Sequence, residues 1–171
     1  MKKILTLICA LVLGMGVSQA QVHEAQTAVG ANLVYGTEIK SPGVGARFQY
    51  GILDQLRTEV GFNYFFEHNH NTCWDVNINA HYLLNVWNQK LYIYPLVGIN
   101  YTMMKYGRHT EIIDGTSVEI GSDEDNHIGF NVGLGAEYEL TDHIGVNLEY
   151  RHTIIRSVDQ GVIGAGINYK F

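Results

Sequence analysis

The chain has 171 residues, 46% of them hydrophobic, and its formal net charge is −6 at pH 7. This length suits a single domain. An acidic chain also lacks the clustered cations that a nucleic-acid-binding surface needs, so we expect no nucleic-acid partner.

The first twenty residues, MKKILTLICALVLGMGVSQA, have the pattern of a secretory signal peptide. Two lysines precede an apolar run over 4–17, and the small residues Ser18 and Ala20 fit cleavage after Ala20. We therefore expect residues 1–20 to be removed from an exported chain, leaving one domain over 21–171.

The exported part of the sequence predicts neither an intramolecular disulfide nor a membrane-spanning helix. Cys73 is its only cysteine, so an intramolecular disulfide is excluded. It also has no uncharged apolar stretch of about 18 residues, so the sequence predicts no transmembrane helix.

Strands are predicted instead, because apolar and polar residues alternate with a period of two along the exported chain. Eight segments show this pattern: 26–36, 43–52, 56–66, 74–84, 91–104, 127–140, 144–155 and 161–171. In each segment one face is apolar and aromatic and carries no Asp, Glu, Lys or Arg. The other face is rich in glycine and asparagine and holds the charged residues.

The composition of the second face decides which side is inside. Glycine and asparagine are poor strand formers, so an exposed sheet surface has little reason to collect them. The interior of a narrow barrel does, because its side chains share a tight space. The sequence thus predicts an all-β fold, a transmembrane antiparallel up-and-down β-barrel of eight strands. A soluble lipocalin-like binder, the alternative, would be apolar inside and charged outside.

The connections and the aromatic residues agree with a membrane-spanning barrel. Segments 36–42, 67–73, 105–126 and 156–160 are the longer connections, and they alternate with short turns, as in outer-membrane barrels. Aromatic residues lie at both ends of the apolar faces, as interfacial girdles do. Within 105–126, Asp114-Gly115 favours a hairpin. We expect it to extend the fifth and sixth strands above the membrane; a ninth and a tenth strand are the alternative. Pro95 fits a ladder badly, and we place it at a bulge or near the periplasmic rim.

The last segment carries the most specific resemblance. Its apolar face consists of Ile163, Ala165, Ile167, Tyr169 and the terminal Phe171. The chain resembles the small eight-stranded outer-membrane barrels, the OmpA transmembrane-domain and OmpX-like group, over residues 22–171. The resemblance implies residence in a Gram-negative outer membrane among lipid and lipopolysaccharide. It also implies a monomer with a filled lumen, delivered by periplasmic chaperones and inserted by the outer-membrane assembly machinery, which reads that C-terminal strand.

The inward face carries a nearly balanced set of ionisable residues. We expect a lumen polar network formed by Arg47, Arg57, Glu59, Asp75, His81, Glu137, Glu139, Glu149 and Arg151, with Lys170 beside it. Charges persist in a low-dielectric lumen when they are paired and hydrogen-bonded, so a salt-bridge plug is the main interpretation. A narrow path for ions or protons is the alternative.

Other sites are weakly indicated. His68 and His70, with Cys73 or Asp75 nearby, are candidate metal ligands, but no four-ligand spacing is present. We expect no cofactor. Some eight-stranded barrels modify lipid A, yet the serines at 117, 122 and 157 lack the arrangement of those enzymes, so we predict no enzyme activity. The predicted role is structural and interactive, through external loops that meet an unknown extracellular ligand; a small-solute pore and a lipid A-modifying enzyme are the alternatives.

Overall fold

A computed structural model describes residues 26–68, 71–106, 109–113, 116–120, 123–155 and 159–171. In this part of the chain all regular structure is β. The strands are β1 (Thr27–Gly36), β2 (Ser41–Leu53), β3 (Leu56–His68), β4 (Asn71–Tyr82), β5 (Leu84–Trp87), β6 (Leu91–Tyr106), β7 (His109–Ile113), β8 (Thr116–Ile120), β9 (Asp123–Glu139), β10 (Ile144–Ile154) and β11 (Gln160–Lys170). No helix among the described residues is long and apolar enough to cross a membrane.

Eight of these strands close into a barrel. Their order is β4-β3-β2-β1-β11-β10-β9-β6, and β4 also pairs with β6, which joins the two ends of the sheet. Every pairing is antiparallel. The eight-stranded antiparallel β-barrel predicted from the alternation is thereby confirmed.

The closing seam runs between the first and last strands. Ala28 pairs with Lys170 at one end of the seam and Gly36 with Val162 at the other, without a register shift between them. Phe171 continues the seam beyond β11, because its backbone N–H donates to the carbonyl of Thr27 at 2.9 Å. The predicted last segment is therefore an interior strand of a closed sheet, paired on both sides.

The burial of side chains alternates with the strand period. Large apolar residues point outward and are exposed, for example Ile128 at 75%, Leu33 at 69% and Phe130 at 68%. Asparagines and charged residues point inward and are buried. Exposed apolar surface of this extent requires an apolar surrounding, which is the hydrocarbon of a bilayer.

Pro95 lies where the ladder between β4, β5 and β6 is interrupted. On β6, Leu96 pairs with His81 of β4 and Ile93 pairs with Leu84 of β5, while the residues between them have no such partner. Leu83 leaves the ladder, and its N–H donates to the carbonyl of Gln55 at 2.8 Å. A residue without an N–H is tolerated beside such an interruption. A break in the ladder near the turn end of β6, rather than a bulge, therefore accommodates this proline.

Three of the four connections at the loop end are shorter than the sequence predicts. β2 begins at Ser41, while β3 runs to His68 and β4 begins at Asn71. Within the predicted loop 105–126, β7 and β8 form a two-stranded sheet of their own, from His109↔Ile120 to Ile113↔Thr116. This hairpin is not part of the barrel sheet. The predicted signal peptide, residues 1–20, lies outside the described residues.

Candidate functional site

The structure places all the predicted lumen residues inside the barrel. Each is buried except Glu139, which is half-buried at the turn end. The buried set is Arg47, Arg57, Glu59, Asp75, His81, Glu137, Glu149, Arg151 and Lys170. Alternating residues bring them to one side of their strands, and closure of the barrel brings the strands' inner faces together. The charges sort into three clusters.

Glu59 is the centre of the first cluster. Its carboxylate accepts hydrogen bonds from Arg47 Nη1 at 3.2 Å and from Gln49 Nε2 at 2.8 Å. The same Arg47 nitrogen lies 3.6 Å from Glu149, so one guanidinium bridges two carboxylates on different strands. His81 Nε2 lies 3.9 Å from Glu59.

Glu137 is the centre of the second cluster, nearer the turn end. Arg57 Nη1 and Lys170 Nζ each lie 2.9 Å from its carboxylate, and Asn168 donates to it at 3.2 Å. Lys170 also contacts Glu139 at 2.5 Å. This cluster links strands on opposite sides of the lumen through charged hydrogen bonds.

Asp75 is the centre of the third cluster. Arg151 Nη2 donates to one of its oxygens at 3.1 Å, while Asn63 and Asn77 donate to the other at 2.7 and 2.6 Å. Neighbouring asparagines continue the network, because Asn131 donates to Asn77 at 3.0 Å. The asparagines recognised in the sequence as small inward residues thus act as hydrogen-bonding partners across the lumen.

Tyr94, an inward residue that sequence reasoning missed, lies among the first two clusters. It is 0% exposed, and its ring stacks on His81 with 4.7 Å between the ring centroids. The Arg57 guanidinium lies 5.3 Å from the same ring, and the Tyr94 hydroxyl donates to Glu149 at 3.1 Å. With Leu83, Tyr92 and Leu96, it forms a buried apolar cluster, which we call the inner seal.

A second apolar cluster lies in the lumen toward the loop end. Val34, Phe65, Cys73 and Val162 are all buried and come from four strands, and we call them the outer seal. Phe65 is 1% exposed. The sequence signal for Phe65 was its place between Tyr64 and Phe66. These two residues point outward, so alternation turns Phe65 inward.

The two cavities described in the lumen are each too small for a channel. One cavity of about 20 Å³ lies beside Arg57, Glu137 and Lys170, and one of about 10 Å³ lies beside Arg47 and Arg151. These volumes suit single water molecules. Several buried polar atoms along the lumen have no protein partner, including Arg57 Nε, Arg47 Nε and Arg151 Nε, so bound water would satisfy groups that the protein leaves unpaired.

The cluster of Glu59, His81 and Glu149 has the residue types of a metal site but not the chemistry. Their ligand atoms lie within 4.8 Å of one another. Arg47, however, already supplies the positive charge between the two carboxylates. His81 Nδ1 lies 3.3 Å from Arg57 Nη2, and a guanidinium only donates, so the ring proton belongs on Nε2, the atom that a metal would need.

The remaining candidates lie at the loop end. The side chain of His68 and the whole of His70 fall outside the described residues, as do the side chains of the three serines considered for catalysis. Two described histidines each lie near an aspartate: His127 is 3.4 Å from Asp125, and His152 is 3.8 Å from Asp159.

The outward surface carries the aromatic residues at both ends of the strands. At the loop end, the ring of Trp74 lies 6.0 Å from Phe62 and 5.9 Å from Tyr101, measured between centroids. At the turn end, Tyr169 and Phe171 contact each other edge to face at 5.2 Å. All five residues of the predicted C-terminal signal point outward and are exposed: Ile163, Ala165, Ile167, Tyr169 and Phe171.

Comparison with known proteins agrees with this architecture. Outer membrane protein X of Escherichia coli (strain K12) is 25% identical over 142 residues, which cover 83% of this chain and 74% of that protein. The N-terminal β-barrel domain of Pseudomonas aeruginosa OprF has a TM-score of 0.68 at 13% identity, over 86% of this chain and 98% of that one. Ail, the attachment invasion locus protein of Yersinia pestis, has a TM-score of 0.60 at 15% identity, over 87% of this chain and all of that one.

A family model covers nearly the whole chain. The model of the outer membrane protein beta-barrel domain matches residues 7–171, which confirms the resemblance drawn from the residues. Together with the closed barrel and its exposed apolar belt, this match identifies the chain as a member of the outer membrane protein beta-barrel domain family, resident in the outer membrane.

Proposed function

We propose that this protein is a non-enzymatic outer-membrane barrel with a closed lumen, which stabilises the membrane and meets external surfaces through its loops. The closed lumen carries the proposal. Three ionic clusters and two apolar seals fill it, and the two cavities named above hold about one water each.

Conductance separates this proposal from a small-solute pore. We expect the purified, refolded barrel to give no discrete open levels in a planar bilayer, because side chains occupy the path. Regular open levels in the unmodified protein would establish the pore instead. An eight-stranded barrel leaves little interior space once side chains fill it, so we expect no conductance.

The charge of the largest loop indicates the kind of external surface that fits. Residues 105–126 contain two lysine or arginine residues against six aspartate or glutamate residues. Ail has been crystallised with a heparin analogue, a polyanion. The acidic loop of the present chain favours the opposite chemistry, a cationic surface.

A binding comparison tests the loop proposal. Vesicles carrying the barrel are passed over immobilised poly-lysine and over immobilised heparin. We expect retention on poly-lysine, lost above about 0.5 M salt because such contacts are screened. Replacing the four acids at 119 and 123–125 with their amides is expected to abolish retention. Equal retention of this variant, or preference for heparin, would refute the proposal.

We further propose that the chain is exported through a cleaved signal peptide and assembles as a monomer among outer-membrane lipid and lipopolysaccharide. Periplasmic chaperones and the outer-membrane assembly machinery are the expected partners, with the strand face ending at Tyr169 and Phe171 as the recognised signal. Phe171→Ala is expected to lower the amount of folded barrel in the membrane. Phe66→Ala, an aromatic loss at the other rim, is the control, and equal losses would argue against a signal.

Lipid A modification is the enzymatic alternative. We expect mass spectra of lipid A to be the same with and without expression of this protein. A new lipid A species that depends on the protein would overturn the non-enzymatic assignment.

A further inference from the structure

We propose that the polar lumen is a closed path for small monovalent cations, shut at two places by the rings of Phe65 and Tyr94. This inference rests on the proposed closed lumen and adds where and how the closure is made. The outer seal and the inner seal defined above are the two barriers, and buried charged groups lie between and below them.

The outer seal is an apolar cluster at the loop end of the lumen. Val34, Phe65, Cys73 and Val162 belong to β1, β3, β4 and β11, so their side chains converge from separate strands. Ile39 and Met104 pack against the same cluster. Directly below it, Val34 and Val162 line the cavity of about 10 Å³ that Arg47 and Arg151 also line. A dry barrier therefore adjoins a polar, water-sized space.

The inner seal depends on one ring. Tyr94 crosses from β6 to β10, where its hydroxyl reaches Glu149 at 3.1 Å, and it passes over Gly135 of β9. A Cβ at residue 135 would collide with the Tyr94 ring, so the absence of a side chain there provides the space that the ring fills. On its other sides the ring contacts His81 and Arg57.

Tyr94 also contacts one residue of each polar compartment. Glu149, its hydrogen-bond partner, lines the cavity of about 10 Å³, whereas Arg57, which lies over its ring, lines the cavity of about 20 Å³. Among the described residues, none lines both cavities. We expect removal of this ring to join the two spaces, whose lining arginines have unpaired donors, namely Arg47 Nε, Arg151 Nε and Arg57 Nε.

The charge of the described lumen selects the permeating ion. Five carboxylates face inward, Glu59, Asp75, Glu137, Glu139 and Glu149, against the four cations Arg47, Arg57, Arg151 and Lys170. With His81 neutral, the lumen has one uncompensated negative charge. A narrow low-dielectric path with this excess attracts a small cation and repels an anion.

Conductance of three variants tests the proposal. We expect Phe65→Ala and Tyr94→Ala each to be silent in a planar bilayer, because the other seal remains. The double variant is expected to show discrete open levels, with a reversal potential in a KCl gradient that indicates preference for K⁺ over Cl⁻. A folded double variant that stays silent, prefers Cl⁻, or conducts no more than Tyr94→Ala alone would overturn the proposal. Conductance of the unmodified barrel would instead overturn the proposed function.

Matched controls lie on the same strands. Phe62→Ala removes the same side chain from the lipid-facing side of β3, and Tyr101→Ala does so on β6. The double control variant is expected to remain silent. Heat-dependent mobility on a denaturing gel shows which variants have folded.

Cys73 supplies a second measurement that needs no conductance. It is buried within the outer seal, and no other cysteine occurs over residues 21–171. The three proteins are treated with a water-soluble methanethiosulfonate reagent, and the modified residue is located by mass spectrometry. We expect Cys73 to be labelled at least tenfold faster in Phe65→Ala than in the unmodified barrel or in Phe62→Ala. Equal rates in all three proteins would show that Phe65 does not close the lumen.

Discussion

Glu38 shows how a single residue joins the first connection at the loop end to the start of β11. Its carboxylate accepts hydrogen bonds from the Gly161 N–H at 2.6 Å and from the Thr37 hydroxyl. Burial raises the pKa of Glu38, but these hydrogen bonds and the nearby His152 lower it more, so the pKa lies below its usual value. A lowered carboxyl pKa stabilises the folded form above the unfolded pKa, and that contribution is lost as pH falls through the folded pKa.

The Gly161 amide provides a measurement of this contact. Its NMR shift in detergent micelles is expected to titrate with a midpoint below pH 4.5, the ordinary value for glutamate. Glu38→Gln is expected to abolish the titration and to change the free energy of unfolding by less than about 1 kcal/mol, because Glu38 is exposed. A midpoint above 4.5 would contradict the assignment.

A lipid-facing residue tests the membrane-facing side of the barrel, because hydrocarbon excludes charge. Ile99 lies mid-strand on the outward face of β6 and is 50% exposed. Ile99→Arg is expected to cost about 2–4 kcal/mol in lipid vesicles, measured by urea unfolding, and Val132→Arg the same. Val86→Arg, beside the short turn, is the depth control and is expected to cost about 0–1 kcal/mol. Similar costs for Ile99→Arg and Val86→Arg would show that the exposed apolar belt of the barrel has been assigned to the wrong depth in the membrane.

At the scale of strands, Tyr94, Gly135 and Glu149 lock three neighbours in register. Tyr94 pairs with Gly135 between β6 and β9, and Gly135 pairs with Glu149 between β9 and β10. The Tyr94 side chain therefore spans all three strands, with its hydroxyl bound to the far one. A slip of one residue would turn these inward groups toward lipid.

Substitution of the central glycine tests this lock. Gly135→Ala forces the Tyr94 ring to move, and we expect a loss of about 1–3 kcal/mol of unfolding free energy in vesicles. Gly61→Ala is the matched control, because the nearest atoms to its added Cβ lie at 3.8–3.9 Å. This control is expected to be neutral or slightly stabilising. Equal losses for both would mean that the ring tolerates displacement.

The strands show which parts of the fold can be predicted from the sequence. Alternation was sufficient for the eight barrel strands and for the inward placement of Arg47, Glu59 and the other charges, because a barrel in lipid must present an uncharged face. It was insufficient where both faces are apolar. Tyr92, Tyr94 and Leu96 alternate with the apolar residues of the outward face, so their role appears only once Gly135 and His81 are brought beside them. Pairing across the lumen depends on closure, which no local pattern specifies.

At the scale of the molecule, ion pairs brace strands that are not neighbours in the barrel. Arg57 of β3 meets Glu137 of β9, and Arg151 of β10 meets Asp75 of β4. Each pair joins strands separated by two others in the closed order. Since these pairs are nearly dry, an isolated member would leave an uncompensated charge in the lumen.

A double-mutant cycle on Arg151 and Asp75 tests this bracing. Arg151→Met leaves the Asp75 carboxylate with its two asparagine donors alone, and we expect a loss of about 3–5 kcal/mol. Adding Asp75→Asn removes the stranded charge, so the double variant is expected to regain at least about 1 kcal/mol over Arg151→Met, as measured by urea unfolding in vesicles. The same charge changes at exposed positions, Lys40→Met with Asp142→Asn, are expected to be nearly neutral and additive. Additive losses at Arg151 and Asp75 would show that the two residues stabilise the barrel independently. The ion pair between them would then not link β10 to β4 energetically.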